Sequence, residues 1–285
     1  GTGAGSFNVI SNCSLTHTFS GYNRRRIEFI RNNKLSLFTT LKNAIRRSRD
    51  DIEIHYQNLN RTAQSKLSVS RTDIINHIAQ IIKITNPNPR YLEIGVRNPD
   101  DNFNKVKINE KYSVDPGLEY LENPVDFQLT SDQFFTQMSD QDFILFGRKF
   151  DLIFIDGLHK ASQVKRDIEN SLQHITANGL IILHDCNPPT EWHARDDYSY
   201  KWTPASGIWN GTTWKAFVQA RYLEDIQSCC VDNDWGVGII SRAFPLGKPT
   251  IDLDDFFEYE YLEENRKHLL GLISFEELKG KLEIL

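Results

Sequence analysis

Two apolar runs in this chain end in residues that a buried strand has no use for. "FDLIFIDGLHK" (Phe150 to Lys160) passes from an aliphatic and aromatic stretch into Asp156, Gly157 and His159, and "GLIILHD" (Gly179 to Asp185) ends in His184 and Asp185. Carboxylates hold hard cations, and an imidazole near neutrality takes up or releases a proton. Brought together, these four side chains could do acid–base or metal-assisted chemistry. Earlier stretches carry a different signal. "RYLEIGV" (Arg90 to Val96) ends its apolar part in Glu93, Ile94 and Gly95, and a glycine there lets a ligand approach the backbone closely. Asp115 comes 20 residues after Gly95, the spacing at which an acid meets ribose hydroxyls in nucleotide-binding sheets. Ser131 and Asp132 could reach an adenine edge, although Thr130 with Gln133 also fits a helix capping box.

Such residues act together only if one edge of a scaffold collects them. Strands are predicted at "RYLEIGV", "KYSVD" (Lys111 to Asp115), "PVDFQL" (Pro124 to Leu129), "FDLIFID" (Phe150 to Asp156) and "GLIILHD". Helical segments separate most of them, including one over Lys160 to Gln173. This alternation predicts an α/β fold with a mostly parallel sheet and helices on both faces, whose strand ends share one edge. Residues 186–211 are polar, aromatic and too long for an ordinary turn, which predicts a lid or binding loop. A helix at Thr213 to Tyr222 follows. The runs "IQSCCV" and "GVGIISR" then predict an antiparallel pair closing the sheet. Before the core, helical spacing runs from Tyr22 to about Ile84 and stops at Asn86-Pro-Asn-Pro89. The chain thus divides into an opening expression leftover (1–6), an N-terminal helical extension (7–85), a core with its lid (86–245) and an acidic tail expected outside the sheet (246–285).

Lys and Arg number 33 against 38 Asp and Glu, a net charge of −5, so nothing draws the chain as a whole to nucleic acid or an anionic membrane. Basic residues crowd the first fifty positions and acids the last forty; solvated helix faces account for both. Cys13, Cys186, Cys229 and Cys230 form no CxxC pair and no zinc or disulfide spacing. With no apolar run of membrane-spanning length and no secretory leader in view, a reduced, cytoplasmic protein is expected. Oligomerisation stays open.

In the order "YLEIGV", "SVDP", "LTSDQFF", "FIDGLH" and "LIILHDCNPP", the sequence resembles class I S-adenosylmethionine-dependent methyltransferases. The resemblance is nearest to a bacterial branch with D-G-x-H and H-D-C motifs, similar to sugar and macrolide O-methyltransferases, and runs from about Thr72 to Arg242. It implies a Rossmann-like, seven-stranded sheet whose last strand is antiparallel. It also implies S-adenosylmethionine as cofactor, with Glu93 and Gly95 along its methionine side and Asp115 at its ribose, followed by Ser131, Asp132 and Asp156. In place of the family's E-x-G-x-G-x-G stands Glu93-Ile-Gly95-Val-Arg97-Asn-Pro99. Neither Arg97 nor Pro99 reaches positive φ as cheaply as glycine, so the path of this loop stays open at this level.

Moving a methyl group to a hydroxyl requires that hydroxyl to lose its proton, and His159 is the expected base beside Asp156. In the relatives, positions matching Asp156 and Asp185 hold Mg²⁺. Here His184 stands where a second acid is usual, which leaves Mg²⁺, Mn²⁺ or no metal open. The lid's aromatic and polar residues, among them His193, Tyr198 and Trp202, suit a small, sugar-containing acceptor. Two other readings compete. A nicotinamide-dependent oxidoreductase explains Gly95 and Asp115 but requires a complete G-x-G-x-x-G. A non-catalytic binding module explains a degenerate glycine loop.

Overall fold

The computed structural model describes residues 68–283 apart from 121, 201, 202, 204, 206 and 254–257. The chain divides into two compact units, Gly1–Asn58 and Leu59–Leu285, and the second holds every described residue. The basic run and helical spacing before residue 68, Cys13 and Trp202 lie outside the described residues.

Ser70 starts helix α1 (Arg71–Thr85) with a capping box, accepting the Asp73 N–H while Asp73 reaches back to the Ser70 N–H. Ile74, Ile75, Ile78 and Ile82 recur at helical spacing and are buried. The helix stops at Asn86, whose extended backbone is what a following proline requires. Strands β1 (Arg90–Ile94), β2 (Glu110–Val114), β3 (Phe150–Ile155) and β4 (Ile175–Leu183) alternate with helices α2 (Ser131–Gln137) and α3 (Ala161–His174). Helix α4 (Thr213–Arg221), strands β5 (Gln227–Val231) and β6 (Val237–Ser241), helix α5 (Tyr259–Leu270), strand β7 (Leu272–Ile273) and helix α6 (Phe275–Leu282) complete the unit.

The strands form one seven-stranded sheet in the order β2-β1-β3-β4-β6-β5-β7. Strand β6 runs against both neighbours and the other pairings are parallel. This is the Rossmann-like arrangement expected. All six residues of β3 are buried, as a central parallel strand covered on both faces must be. Alternate residues feed separate cores: Ile153 and Ile155 pack with Phe134, Val164, Ile168 and Phe217 from α2, α3 and α4, whereas Leu152 and Phe154 pack with α1 and Leu278 of α6. Helix α1, assigned from sequence to the extension, therefore covers one face of the sheet.

Two differences concern the edges. Pro124 to Leu129 forms no strand and only a bridge between Val114 and Phe127. The Asp126 carboxylate takes the Ser113 N–H (2.9 Å) and hydroxyl (2.7 Å), so a side chain supplies what a strand partner's carbonyl would. The seventh strand comes instead from Leu272–Ile273, in the tail expected outside the sheet. Among the described residues no helix is long and apolar enough to cross a membrane.

Candidate active site

The carboxyl ends of β1 to β4 open into a single cavity of about 490 Å³, lined among others by Gly95, Asp115, Ser131, Asp156, His159 and Trp209. That volume lies within the range of small-molecule sites. Gly95 has φ +83°, and a Cβ there would sit 2.3 Å from the Asp156 carbonyl oxygen and Gly157 Cα, so only glycine lets the first and third loops cross. Arg97 takes φ +49° despite its side chain. The departure from the glycine pattern thus leaves the backbone left-handed, with Arg97 carrying the strain. Its N–H donates to Asp115 Oδ2 (2.9 Å) and the Gly117 N–H to Oδ1 (2.7 Å), which fixes the Asp115 carboxylate at the sheet edge.

Glu93 is buried and its Oε2 accepts from the Tyr91 hydroxyl (2.5 Å) and the Asn102 amide (2.9 Å). Burial pushes its carboxyl up to about 7, against these two bonds, which favour the charged form. The Thr130–Gln133 capping box is present. It coexists with Ser131 on the cavity wall, where Gln163 donates to Ser131 Oγ (3.1 Å). Asp132 is taken up by Arg166 (3.3 Å) and Gln163 (3.1 Å).

At the other end the four chemistry-bearing residues converge. His159 Nε2 lies 3.3 Å from Asp156 Oδ1, and its Nδ1 lies 3.2 Å from both Asp185 Oδ2 and the Trp209 carbonyl. His184 Nδ1 lies 3.3 Å from Asp156 Oδ1 and from Asp185 Oδ2. Burial works against charging the imidazole of His159, but Asp185 and Asp156 outweigh it and raise it to about 9. His184 is raised well above its ordinary value by the same balance. Burial would lift Asp156, yet His184, His159 and Arg71 hold it well below the usual carboxylate range.

The end of the lid and the residue that follows it hold this cluster in place. Asn210 donates to Asp185 Oδ1 (2.6 Å), the Thr212 N–H donates to the His159 carbonyl (2.8 Å), and Gly211 (φ +60°) lies where a Cβ would be 2.1 Å from that carbonyl oxygen. Asp185 itself is left-handed, at φ +59°. The Trp209 ring stacks on His159 at 5.3 Å and 22°, with Tyr198 packed against it. His193 is buried with its ring bonded to Thr190 and stacked on Trp235, and burial lowers it to about 4; its carbonyl accepts the Asn210 and Gly211 N–H groups.

Sequence reasoning missed Arg71 and Asp234. Arg71 opens α1 and lines the cavity, with Nε 3.7 Å from Asp156 Oδ2 and Nη1 3.3 Å from His184 Nε2. Asp234, in the β5–β6 hairpin, lies 3.3 Å from His184 Nε2 through Oδ1. Neither belongs to a local motif, and only the fold brings them in. Trp209 and Asn210 do lie in the stretch that the sequence marks as a lid or binding loop. As a donor set, one oxygen each of Asp156 and Asp185 and one nitrogen of His184 lie within 4.8 Å of one another. Two carboxylates and an imidazole fit a divalent cation such as Mn²⁺.

No curated protein matches the sequence. Among solved structures, an O-methyltransferase from Bacillus cereus in complex with SAH is similar at 14% identity and a TM-score of 0.41, over 68% of this chain and 91% of its own. The SAH-bound methyltransferase PaMTH1 of Podospora anserina is similar at 17% identity and a TM-score of 0.37, over 68% and 88%. The O-methyltransferase TomG of tomaymycin synthesis from Streptomyces achromogenes, in complex with SAM, is similar at 12% identity and a TM-score of 0.38, over 64% and 88%. Residues 100–186 match the family model described as a methyltransferase domain. That segment runs from the loop after β1 to the end of β4 and contains Asp115, Asp156, His159, His184 and Asp185, so the chain carries a methyltransferase domain of the class I, Rossmann-like fold.

Proposed function

We propose that this protein is an S-adenosylmethionine-dependent O-methyltransferase acting on a hydroxyl of a small polar acceptor, a saccharide or glycosylated compound, with a divalent cation assisting. The observation that carries the reading is the placement of His159: it shares one cavity with the Gly95–Asp115 edge and is clamped between two carboxylates under an aromatic wall.

The Gly95 crossing and the anchored Asp115 carboxylate fit a nucleoside-bearing cofactor. Each Asp115 oxygen takes one backbone N–H and keeps lone pairs for a ribose hydroxyl. Glu93, Gly95, Asp115, Ser131 and Asp156, which line the cavity, would hold the cofactor, with Asp132 next to Ser131 joining them; when bound, it supplies a sulfonium methyl group. On the acceptor side, Trp209 and Tyr198 offer apolar faces for a sugar ring.

The proton is the task of His159. Nδ1–H donates toward Asp185 and the Trp209 carbonyl, which orients the ring and stabilises its charged form, and Nε2 would take the acceptor's proton. Asp156 competes for Nε2. Asp156, His184 and Asp185 would hold Mg²⁺ or Mn²⁺, which lowers the pKa of a hydroxyl and orients it. With Asp156 as one of those ligands, His159 Nε2 would be left for the acceptor.

Calorimetry with S-adenosylmethionine, S-adenosylhomocysteine and NAD tests the cofactor. Binding of the first two alone is expected; binding of NAD alone would replace this reading with an oxidoreductase, and binding of none with a non-catalytic module. Activity on glycosides that disappears in chelator and returns with Mn²⁺ supports metal assistance, whereas full activity in chelator removes it.

A further inference from the structure

Asp234 is buried in the turn between β5 and β6, where Asp234, Trp235 and Gly236 take φ values of +43°, +62° and +88° in succession. Such strain persists where surrounding structure over-determines it, and it marks positions whose geometry serves a purpose. A Cβ on Gly236 would sit 2.3 Å from Asn187 Cβ, so the turn is pressed against the segment leaving β4. What it presents there is a carboxylate with both oxygens engaged. Oδ2 accepts the Arg71 backbone N–H at 2.7 Å, and Oδ1 lies 3.3 Å from His184 Nε2.

The chemistry of an imidazole decides what that second contact is. His184 Nδ1 faces Asp156 and Asp185, the other two members of the candidate cation site. A ring that gives its Nδ1 lone pair to a cation is neutral and carries its one proton on Nε2, and a buried N–H needs an acceptor. Arg71 Nη1 is as near to Nε2, at 3.3 Å, but a guanidinium only donates. The Asp234 carboxylate is the acceptor.

We propose that Asp234 is a positioning residue of the cation site: by accepting the His184 Nε2–H it locks the ring with Nδ1 turned toward Asp156 and Asp185. This rests on the metal-assisted reading above. Arg71, its main chain bound to Asp234 and its side chain 3.7 Å from Asp156, ties the same turn to the N-terminus of α1.

The full chain labelled with ¹⁵N-histidine tests this by NMR with Mg²⁺ and by calorimetry with Mn²⁺. In the parent, a His184 Nε2–H signal protected from exchange is expected, together with Mn²⁺ binding. Asp234→Ala is expected to lose that signal and to weaken Mn²⁺ binding by roughly 10–100-fold, the usual effect of removing a ligand's hydrogen-bond partner. S-adenosylhomocysteine affinity should stay unchanged. Asp234→Asn keeps one acceptor oxygen but turns an NH2 toward the other donor, so both quantities should fall between those of the parent and of Asp234→Ala. If Asp234→Ala does not fold, Asp234→Ser, which retains an acceptor for Arg71 but is too short to span both partners, carries the same expectation. Parent-like Mn²⁺ affinity in a folded Ala or Ser variant overturns the proposal. If the parent binds neither cation, the metal-assisted reading falls by itself. The Nε2–H signal then decides alone: its loss in Asp234→Ala supports the hold on His184, and its persistence overturns it.

Discussion

The two ends of the strand-edge cavity are built on opposite plans. At the β1–β2 end the main chain does the work: Gly95 clears the crossing, and the N–H groups of Arg97 and Gly117 pin the Asp115 carboxylate. At the β3–β4 end side chains hold side chains, with His159 and His184 shared between Asp156 and Asp185 and with Arg71 and Asp234 behind them. A site of the first kind is set by folding and receives hydroxyl groups without rearrangement. In the second, each new partner must displace an old one. Binding is preorganised where the backbone builds the site, and protonation state is adjustable where ionisable side chains do.

The largest way to test this contrast is to remove the proposed base. His159→Ala should lower turnover by roughly 10²–10⁴-fold, the usual worth of general-base catalysis, and leave S-adenosylhomocysteine affinity unchanged. A fully active variant would reduce His159 to a packing residue under Trp209. The pH profile sharpens the same point. With its folded value raised from 6.5 to about 9, His159 is mostly charged at neutrality, and only its neutral fraction can accept a proton. Below about 9 its neutral fraction grows about tenfold per pH unit, so a ¹⁵N-histidine NMR titration of the metal-free protein should show His159 losing its proton with a midpoint near pH 9. Stability runs the other way. A raised imidazole binds more protons in the folded state, so its contribution is complete below 6.5 and is lost as pH rises through about 9. Removing a neighbouring charge with Asp185→Asn should move this midpoint to lower pH; an unmoved midpoint would assign the titration to another group.

At the other end, Asp115→Ala should weaken S-adenosylhomocysteine binding by roughly 10²-fold, since hydrogen bonds to a charged group contribute about 1.5–3 kcal/mol each. Turnover at saturating cofactor should change far less than in His159→Ala. Equal losses in both quantities would mean that the two ends are not separable.

Much of this contrast is readable from sequence, for a physical reason. In a parallel sheet a polar residue that ends an apolar run must emerge at the shared edge, so Asp115, Asp156 and His184 with Asp185 announce themselves wherever the runs stop. The residues behind the cluster carry no such mark. Arg71 and Asp234 lie 113 and 50 positions from His184 in the chain, and the first reads as ordinary helix, the second as ordinary turn. Strand ends were misjudged where a side chain replaced a backbone partner, as Asp126 does at Ser113, or where a strand is too short for alternation to register, as in Leu272–Ile273.

The smallest effect bears on the one place where the backbone-built end is strained. Arg97 occupies a left-handed conformation that a side chain makes costly by about 1–2 kcal/mol, against the 0.5–1 kcal/mol of extra chain entropy that glycine loses on folding. Its ion pair with Asp101 offsets little, because the arginine side chain is 57% exposed and the carboxylate 36%, and solvent-exposed pairs contribute about 0–1 kcal/mol. Arg97→Gly should therefore be neutral or stabilising by up to about 1 kcal/mol, a rise of roughly 2–4 °C in Tm at this chain length. The N–H to Asp115 comes from the main chain, so S-adenosylhomocysteine affinity should be kept. If affinity instead falls with the arginine, its guanidinium contacts the cofactor, and the β1–β2 end would owe to a side chain what is assigned here to the backbone.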